Sequence, residues 1–304
     1  IPVVDFSKED CLKPGTSSWL SASKGVCQAL EQLGCFIVTL SSNKVSLELH
    51  NTIFRTLNEL FDLPMEIKVP NTNKNDGGGG YSTLHPAHES FGIVNSTNPE
   101  ETQKFTNRFW TNGNDQFRES VDSYAKVMAE LDRAVTRMVF ENYGVDKYHD
   151  DHVQSTFHGL RFSKYKEPKK TGIDVGLGSH TDKTFTTILH QNNVNGLEIN
   201  TKNDEWICCG YPLPSSFLFL AGDVFQVWSN DRIRPCRHRV SLTENNVRYS
   251  FGLYSIKEGV TNIPDELVDE DHPLRFKPLN HIEYARARYD NNGTDLGVKS
   301  YCGI

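Results

Sequence analysis

The chain has 304 residues, of which 37% are hydrophobic, 23% charged and 11% aromatic, so it is long and apolar enough to fold as one or two domains and too long for a disulfide-stapled miniprotein. Its 39 acidic side chains outnumber 32 basic ones, and a net charge of −7 with an isoelectric point near 5.9 lacks the basic surface a nucleic-acid partner needs. The longest apolar run, near Phe217 to Leu220, falls far short of the roughly 20 residues of a bilayer crossing, and seven cysteines without a CxxC pair read as reduced thiols of a cytoplasmic protein.

The first 150 residues read mainly as helix. Leu47, Ile53, Phe54, Leu57, Leu60 and Phe61 recur at helical spacing until Pro64 stops the run. Asp76-Gly77-Gly78-Gly79-Gly80-Tyr81 has no strand before it and no Lys-Ser/Thr pair after it, which favours a flexible loop over a phosphate cradle. A longer helix spans about Asp115 to Tyr143, with Phe117, Val121, Tyr124, Met128, Leu131, Val135 and Met138 on one face and Gly144 as its C-terminal cap. Lys164 to Lys170, interrupted by Glu167 and Pro168, reads as a solvated loop. Short β-rich runs follow at 160–165, 184–190, 197–200, 206–208, 217–221, 225–228, 237–242 and 247–256, a density that predicts an antiparallel sandwich or jelly roll. Thr243-Glu244-Asn245-Asn246 is expected to turn the last two runs into a hairpin, and a helix from His281 to about Tyr289, capped by Asn280, closes the chain. The expected fold is mixed α+β, a single domain over 1–304. A mainly helical part reaches about 150, a jelly-roll (double-stranded β-helix) core flanked by helices spans about 151–258, and a loop and helix run from 259.

Chemistry concentrates in Gly178-Ser179-His180-Thr181-Asp182. If this segment begins a strand, His180 and Asp182 share a face and reach one ion. The best third ligand is His238, 56 residues past Asp182. Two neutral imidazoles and one carboxylate on one side of a metal leave the remaining positions open, the arrangement that suits non-haem Fe(II) and O2 chemistry. Arg248 and Ser250 share a face ten residues on. With the hairpin turn between Glu244 and Asn245, Arg248 falls opposite Ser241, about 10 Å along the barrel from His238 at ~3.3 Å per residue. A five-carbon dicarboxylate spans that gap, its far end on the guanidinium and the Ser250 hydroxyl. Taken singly, these residues read as ordinary surface or core; together, inside one predicted jelly roll, they read as a metal site. His190 reads as structural, and His85, His88, His149, His152 and His158 have no spacing that forms a second site.

At these residues the chain resembles the plant 2-oxoglutarate- and Fe(II)-dependent dioxygenases over nearly its full length. Ile1-Pro2-Val3-Val4-Asp5 is similar to their opening strand, and Phe61-Asp62-Leu63-Pro64 with Lys68 is similar to their FxLPxExK segment. Gly176-Leu177, His180-Thr181-Asp182, Gly196-Leu197-Glu198, Trp206, Gly222-Asp223 and His238-Arg239-Val240 follow the family core in order. The resemblance implies that His180, Asp182 and His238 bind Fe(II), that Arg248 and Ser250 anchor 2-oxoglutarate with Tyr165 adding a hydroxyl, and that O2 is the second cosubstrate. It also departs from the pattern: Ser163 replaces the Asn of the family's Asn-x-Tyr, and Val38-Thr39-Leu40-Ser41 stands where Asn-His-Gly is usual. The retained Asp182 speaks against a halogenase, which vacates that position.

Phe105 to Trp110, Lys183, Leu197-Glu198 before Thr201-Lys202, and Glu266 to Glu270 resemble the AOP-like branch, whose members modify glucosinolates, oxidise auxin or hydroxylate steroidal alkaloids. By position in that architecture, Trp110, Arg161 and Tyr254 are expected to line the substrate cavity and Phe251 to support its wall. Arg161 is expected to pair with either an acidic substrate or an internal carboxylate. The implied enzyme oxidises, most simply hydroxylates, a small plant metabolite or hormone and releases succinate and CO2. It is expected to be a cytoplasmic monomer with no nucleic-acid or membrane partner. An Fe(II) oxidase of the same fold that does not use 2-oxoglutarate, and a non-catalytic jelly-roll binding protein, are the competing readings.

Overall fold

Capping chemistry sets most of the helix starts in the computed structural model, which describes residues 1–71, 79–85, 87–167, 174–210, 213–242, 246–287 and 297–304. After β1 (Val3–Phe6), the Thr16 hydroxyl accepts the Trp19 N–H to start α1 (Ser17–Leu33), which stops at Gly34 in the left-handed region at φ 75°. β2 (Cys35–Leu40) is followed by α2 (Leu47–Phe61), capped by Ser46, and by α3 (Met65–Lys68). β3 (Gly80–His85) and β4 (His88–Ile93) precede α4 (Pro99–Phe109) and the long α5 (Asp115–Asn142), capped by Asn114. α6 (His149–Gln154) leads into β5 (Thr156–Tyr165), β6 (Asp174–His180), β7 (Thr186–Gln191), β8 (Leu197–Asn200), β9 (Trp206–Cys208) and β10 (Ser216–Ala221). α7 (Asp223–Trp228), β11 (His238–Leu242) and β12 (Arg248–Lys257) complete the β-rich half. The chain closes with β13 (Val260–Thr261), β14 (Leu279–Asn280), α8 (His281–Arg286), which Asn280 caps as expected, and α9 (Val298–Cys302).

Among the described residues the main strands form two sheets, ordered β1-β2-β10-β7-β12-β5-β4-β3 and β6-β11-β8-β9. Pleat alternation sorts their side chains into two cores. On β10, Phe217 and Phe219 join the core built by α1, α2, α4 and α5 on one face of the larger sheet. Leu218 and Leu220 point the other way, joining Ile37, Leu197, Ile199, Val240 and Leu242 between the sheets. The result is the predicted jelly roll flanked by helices. All seven residues of the predicted α5 stripe are buried, and Gly144 takes φ 68° just past the helix. The α2 stripe holds from Ile53 to Phe61, but Leu47 is exposed in the first turn.

Several expectations fail for identifiable reasons. Within the mainly helical first 150 residues there are also four strands, of which β4 is buried on both faces and so shows no polar alternation. The predicted strand at 225–228 is helix α7, whose six residues are all buried, which removes the same signal. The predicted hairpin is absent because the chain crosses between sheets: β11 pairs with β6 and β8, whereas β12 pairs with β5 and β7. Lys164 belongs to β5 and meets Asp62 at 2.9 Å, and Lys166 meets Glu89 at 3.1 Å, so this part of the basic cluster is ion-paired rather than a solvated loop. Residues 76–78 of the glycine-rich stretch, 168–170 of the basic cluster, 243–245 of the turn and 288–296 beyond α8 lie outside the described residues.

Candidate metal centre and its cavity

His238 on β11 pairs in register with His180 on β6, which brings the ring centroids to 4.3 Å. His180 ends its strand rather than beginning it, and Asp182 lies just beyond. The turn of the chain, not pleat alternation, therefore aims the carboxylate at the imidazoles. Asp182 Oδ1 is 3.7 Å from His180 Nε2 and 3.8 Å from His238 Nε2, and the three donors lie within 4.8 Å of one another. An ion bonded at ~2.1 Å to two atoms bridges a separation of up to ~4.2 Å, so the Asp182 carboxylate can share one ion with either imidazole. Each imidazole turns Nδ1 toward a backbone carbonyl, His180 to Gly178 at 2.8 Å and His238 to Cys236 at 3.3 Å, which leaves both Nε2 lone pairs for the ion. Burial pushes the His238 imidazole below its ordinary range and favours the neutral form that ligation requires. Among the described residues no other group of three such donors converges.

The Asp182 loop is held from behind by the start of α7. The Asp223 N–H donates to the Asp182 carbonyl at 2.8 Å, the Gly222 N–H to Phe185 at 2.9 Å, and the Val224 N–H to Thr184 at 3.1 Å. The Asp223 carboxylate accepts the Tyr284 hydroxyl of α8 at 2.6 Å. A Cβ at Gly222 would stand 2.0 Å from the Thr184 carbonyl oxygen, backbone against backbone, so only glycine permits this approach. Gly222→Ala is expected to displace the loop, weakening divalent-metal binding at least about tenfold at a stability cost of about 1–3 kcal/mol. Metal titration and thermal unfolding check this, and unchanged metal affinity would count against the brace.

Arg248 is 2% exposed and, among the described residues, has no carboxylate within ion-pair distance. Its Nη2 donates to Gln191 Oε1 at 2.7 Å and its Nη1 to Ser250 Oγ at 3.3 Å, while Nε is buried with no partner. The guanidinium lies 5.0 Å from the Tyr165 ring centroid. A buried cation without a counter-charge is costly, and here it calls for an anion. Gln191, Ser250, Ser163 and Ser90 stand side by side across β7, β12, β5 and β4, a polar row beside Arg248. Burial pushes the Tyr165 phenol up, while Arg248 and Ser163 beside it pull the other way. Gln191 belongs to no sequence motif; its register opposite Ser250 is what gives it a part in the site.

One cavity of about 50 Å³ between the sheets is lined by the three donors, by Arg248, Ser250 and Tyr165, and by Arg161 and Tyr254. A wider groove of about 810 Å³ runs along α5, but no donor set converges there. Arg248 therefore meets the donors from the opposite sheet, not along one ladder from His238 as the hairpin implied. Of the expected cavity residues, Trp110 sits elsewhere, while Phe251 borders the cavity as a wall residue. Trp110, past the end of α4, packs against Phe117 at 4.9 Å on the helical side and does not line the cavity. Phe251 borders the cavity and backs its wall, its ring packing on Tyr124 at 4.9 Å and His190 at 5.4 Å in the helical core. His190 is structural as expected, with Nδ1 donating to the Ser216 carbonyl at 2.8 Å and Nε2 3.0 Å from His50.

Residues 145–254 match the 2OG-Fe(II) oxygenase superfamily, and residues 1–116 match the family described as non-haem dioxygenase in morphine synthesis N-terminal. The chain is 39% identical over 291 residues to the probable 2-oxoglutarate-dependent dioxygenase AOP1 of Arabidopsis thaliana, covering 93% of this chain and 95% of that protein. The crystal structure of the rice dioxygenase for auxin oxidation aligns over the whole of both chains with a TM-score of 0.82 at 28% identity. The Arabidopsis thaliana enzyme of the same name, solved with 2-oxoglutarate, aligns with a TM-score of 0.78 at 28% identity over 90% of this chain and 99% of that one.

Proposed function

The chain belongs to the 2OG-Fe(II) oxygenase superfamily, in its AOP-like branch, and from that premise we propose that His180, Asp182 and His238 hold the iron and that Arg248, Ser250 and Tyr165 hold 2-oxoglutarate. Its reaction is a 2-oxoglutarate-dependent oxidation of a small molecule, with Fe(II) and O2. The observation that carries the residue assignment is a buried guanidinium without a counter-charge in the same cavity as a two-imidazole, one-carboxylate donor set. Bound iron supplies O2 activation, coupling decarboxylation of 2-oxoglutarate to succinate and CO2 with oxidation of a substrate C–H bond.

The protein's part is to place charge and exclude water. His180 and His238 enter as neutral imidazoles aimed by the Gly178 and Cys236 carbonyls, and Asp182 supplies the anionic donor. The planar fork of Arg248 suits the far carboxylate of 2-oxoglutarate, with Ser250 and Tyr165 as added hydroxyl donors. Leu177, Leu189, Leu197 and Val240 give the cavity an apolar lining that keeps water from the reacting atoms. We read residues 1–304 as a single dioxygenase unit and the substrate as a plant specialised metabolite or hormone, with hydroxylation as the simplest outcome. A cytoplasmic monomer without nucleic-acid or membrane partners is the companion reading; the net charge of −7 speaks against nucleic acid, and the seven free cysteines suit a reducing compartment. Among the described residues, no helix is long and apolar enough to cross a membrane.

An anaerobic titration of the metal-free protein with Fe(II) and then 2-oxoglutarate tests the assignment. The weak visible charge-transfer band of a chelated keto acid is expected, and it should be lost in His180→Ala. Iron binding without the band would favour the oxidase reading, and no iron binding would remove the site.

A further inference from the structure

Arg248 is cradled by the segment that leaves β7 and enters β8. Gln191, the last residue of β7, accepts Arg248 Nη2 at 2.7 Å and donates through Nε2 to the Val194 carbonyl at 3.2 Å. Asn192 ties the residues on either side of Arg248, donating through Nδ2 to the Val247 carbonyl at 3.1 Å and accepting the Tyr249 N–H at 3.1 Å. Gly196 closes the segment against the arginine stem. A Cβ there would stand 3.2 Å from Arg248 Cδ and 3.0 Å from the Ser241 carbonyl oxygen, and the residue takes φ 153°. Close packing on Arg248 therefore calls for glycine at this position.

That glycine follows an exposed asparagine, Asn195. An asparagine side-chain amide can close a five-membered ring on the next backbone nitrogen, and a glycine there has no Cβ to shield the approach. Two other asparagines precede glycine, Asn112 and Asn292, the latter outside the described residues. Asn112 is also exposed, but its Gly113 N–H donates to the Trp110 carbonyl at 2.9 Å, and that bond must break before the nitrogen can attack. Among the described residues the Gly196 N–H donates to no partner, and the Asn195 side chain makes no hydrogen bond.

We propose that Asn195 is a site of spontaneous isoaspartate formation and that the conversion loosens the hold on 2-oxoglutarate. The Gly196 nitrogen bonds to Asn195 Cγ, the Cγ–Nδ2 bond breaks, and ammonia leaves with the former N–H proton, giving a cyclic imide. Water then opens the imide. Attack at Cγ gives aspartate, and attack at the main-chain carbonyl gives isoaspartate, whose backbone runs through Cβ and Cγ. That backbone is one carbon longer, about 1.5 Å, in a segment whose glycine end has no room against Arg248 and Ser241. The effect on binding rests on the proposed cosubstrate site, whereas the conversion itself does not.

The test holds the full protein, metal-free, in warm, mildly alkaline buffer. Peptide mapping follows the gain of about 1 Da and methyl acceptance from an isoaspartyl methyltransferase; Fe(II) and 2-oxoglutarate are then titrated in without oxygen. Conversion at Asn195 is expected at least fivefold faster than at Asn112, and 2-oxoglutarate affinity should fall threefold or more in the converted protein. Asn195→Gln should keep its affinity through the same treatment. Asn195→Asp, which adds the charge on an unaltered backbone, should stay within twofold of the untreated protein. Conversion at Asn195 no faster than at Asn112, unchanged affinity after conversion, or an equal loss in treated Asn195→Gln or in Asn195→Asp overturns the inference. Failure of the untreated protein to bind 2-oxoglutarate overturns the site reading instead.

Discussion

Asp182→Ala is expected to bring 2-oxoglutarate-dependent succinate formation below detection, a loss of more than about 1,000-fold, because outer-shell partners of metal ligands alone typically cost 10–100-fold. Asp182 is the one anionic donor of the set; without it, two neutral imidazoles are left to hold a divalent ion. The loop itself should persist, since the Asp182 contact to α7 runs through its backbone carbonyl, which alanine retains. Thermal unfolding close to that of the unaltered protein, together with lost Fe(II) binding, is therefore the expected pair of results. Unchanged turnover in this variant would remove the triad.

Arg248→Lys should separate the cosubstrate from the metal. Lysine keeps the charge but replaces the planar fork with a point donor. Losing a charge-assisted hydrogen bond costs about 1.5–3 kcal/mol, so the KM for 2-oxoglutarate should rise roughly 10- to 150-fold. Fe(II) affinity, set by side chains on the opposite sheet, should change less than about threefold. Anaerobic titrations with each component measure both quantities, and an equal loss of the two would sink the assignment of Arg248 to the dicarboxylate.

The donor set was legible in the sequence because ligand chemistry restricts residue type: an HxD, a later His and an RxS are recognisable wherever the strands fall. Their route to one another was not. The sequence neighbours β11 and β12 invite a hairpin, and only the sheet-to-sheet crossover separates them. Among the aromatic residues Trp110 was misread, since the same ring chemistry fills a core or a cavity wall, and which way it points depends on packing partners. Some motif residues that carried the resemblance do structural work. Glu198 accepts Arg239 Nε at 2.6 Å and the Ser241 hydroxyl at 2.7 Å, and Arg239 lies 4.0 Å over the Trp206 ring, a brace across the smaller sheet. Lys68 is a buried clamp between α2 and β4, donating to the Phe61 carbonyl at 2.5 Å and to Glu89 at 2.9 Å.

That Arg161 and Tyr165 share one strand makes β5 a ruler. Their four-residue separation sets about 13 Å between their backbone positions, at ~3.3 Å per residue, independent of loop motion. The spacing between the Arg161 guanidinium and the proposed cosubstrate site is therefore set by a regular strand rather than by a loop.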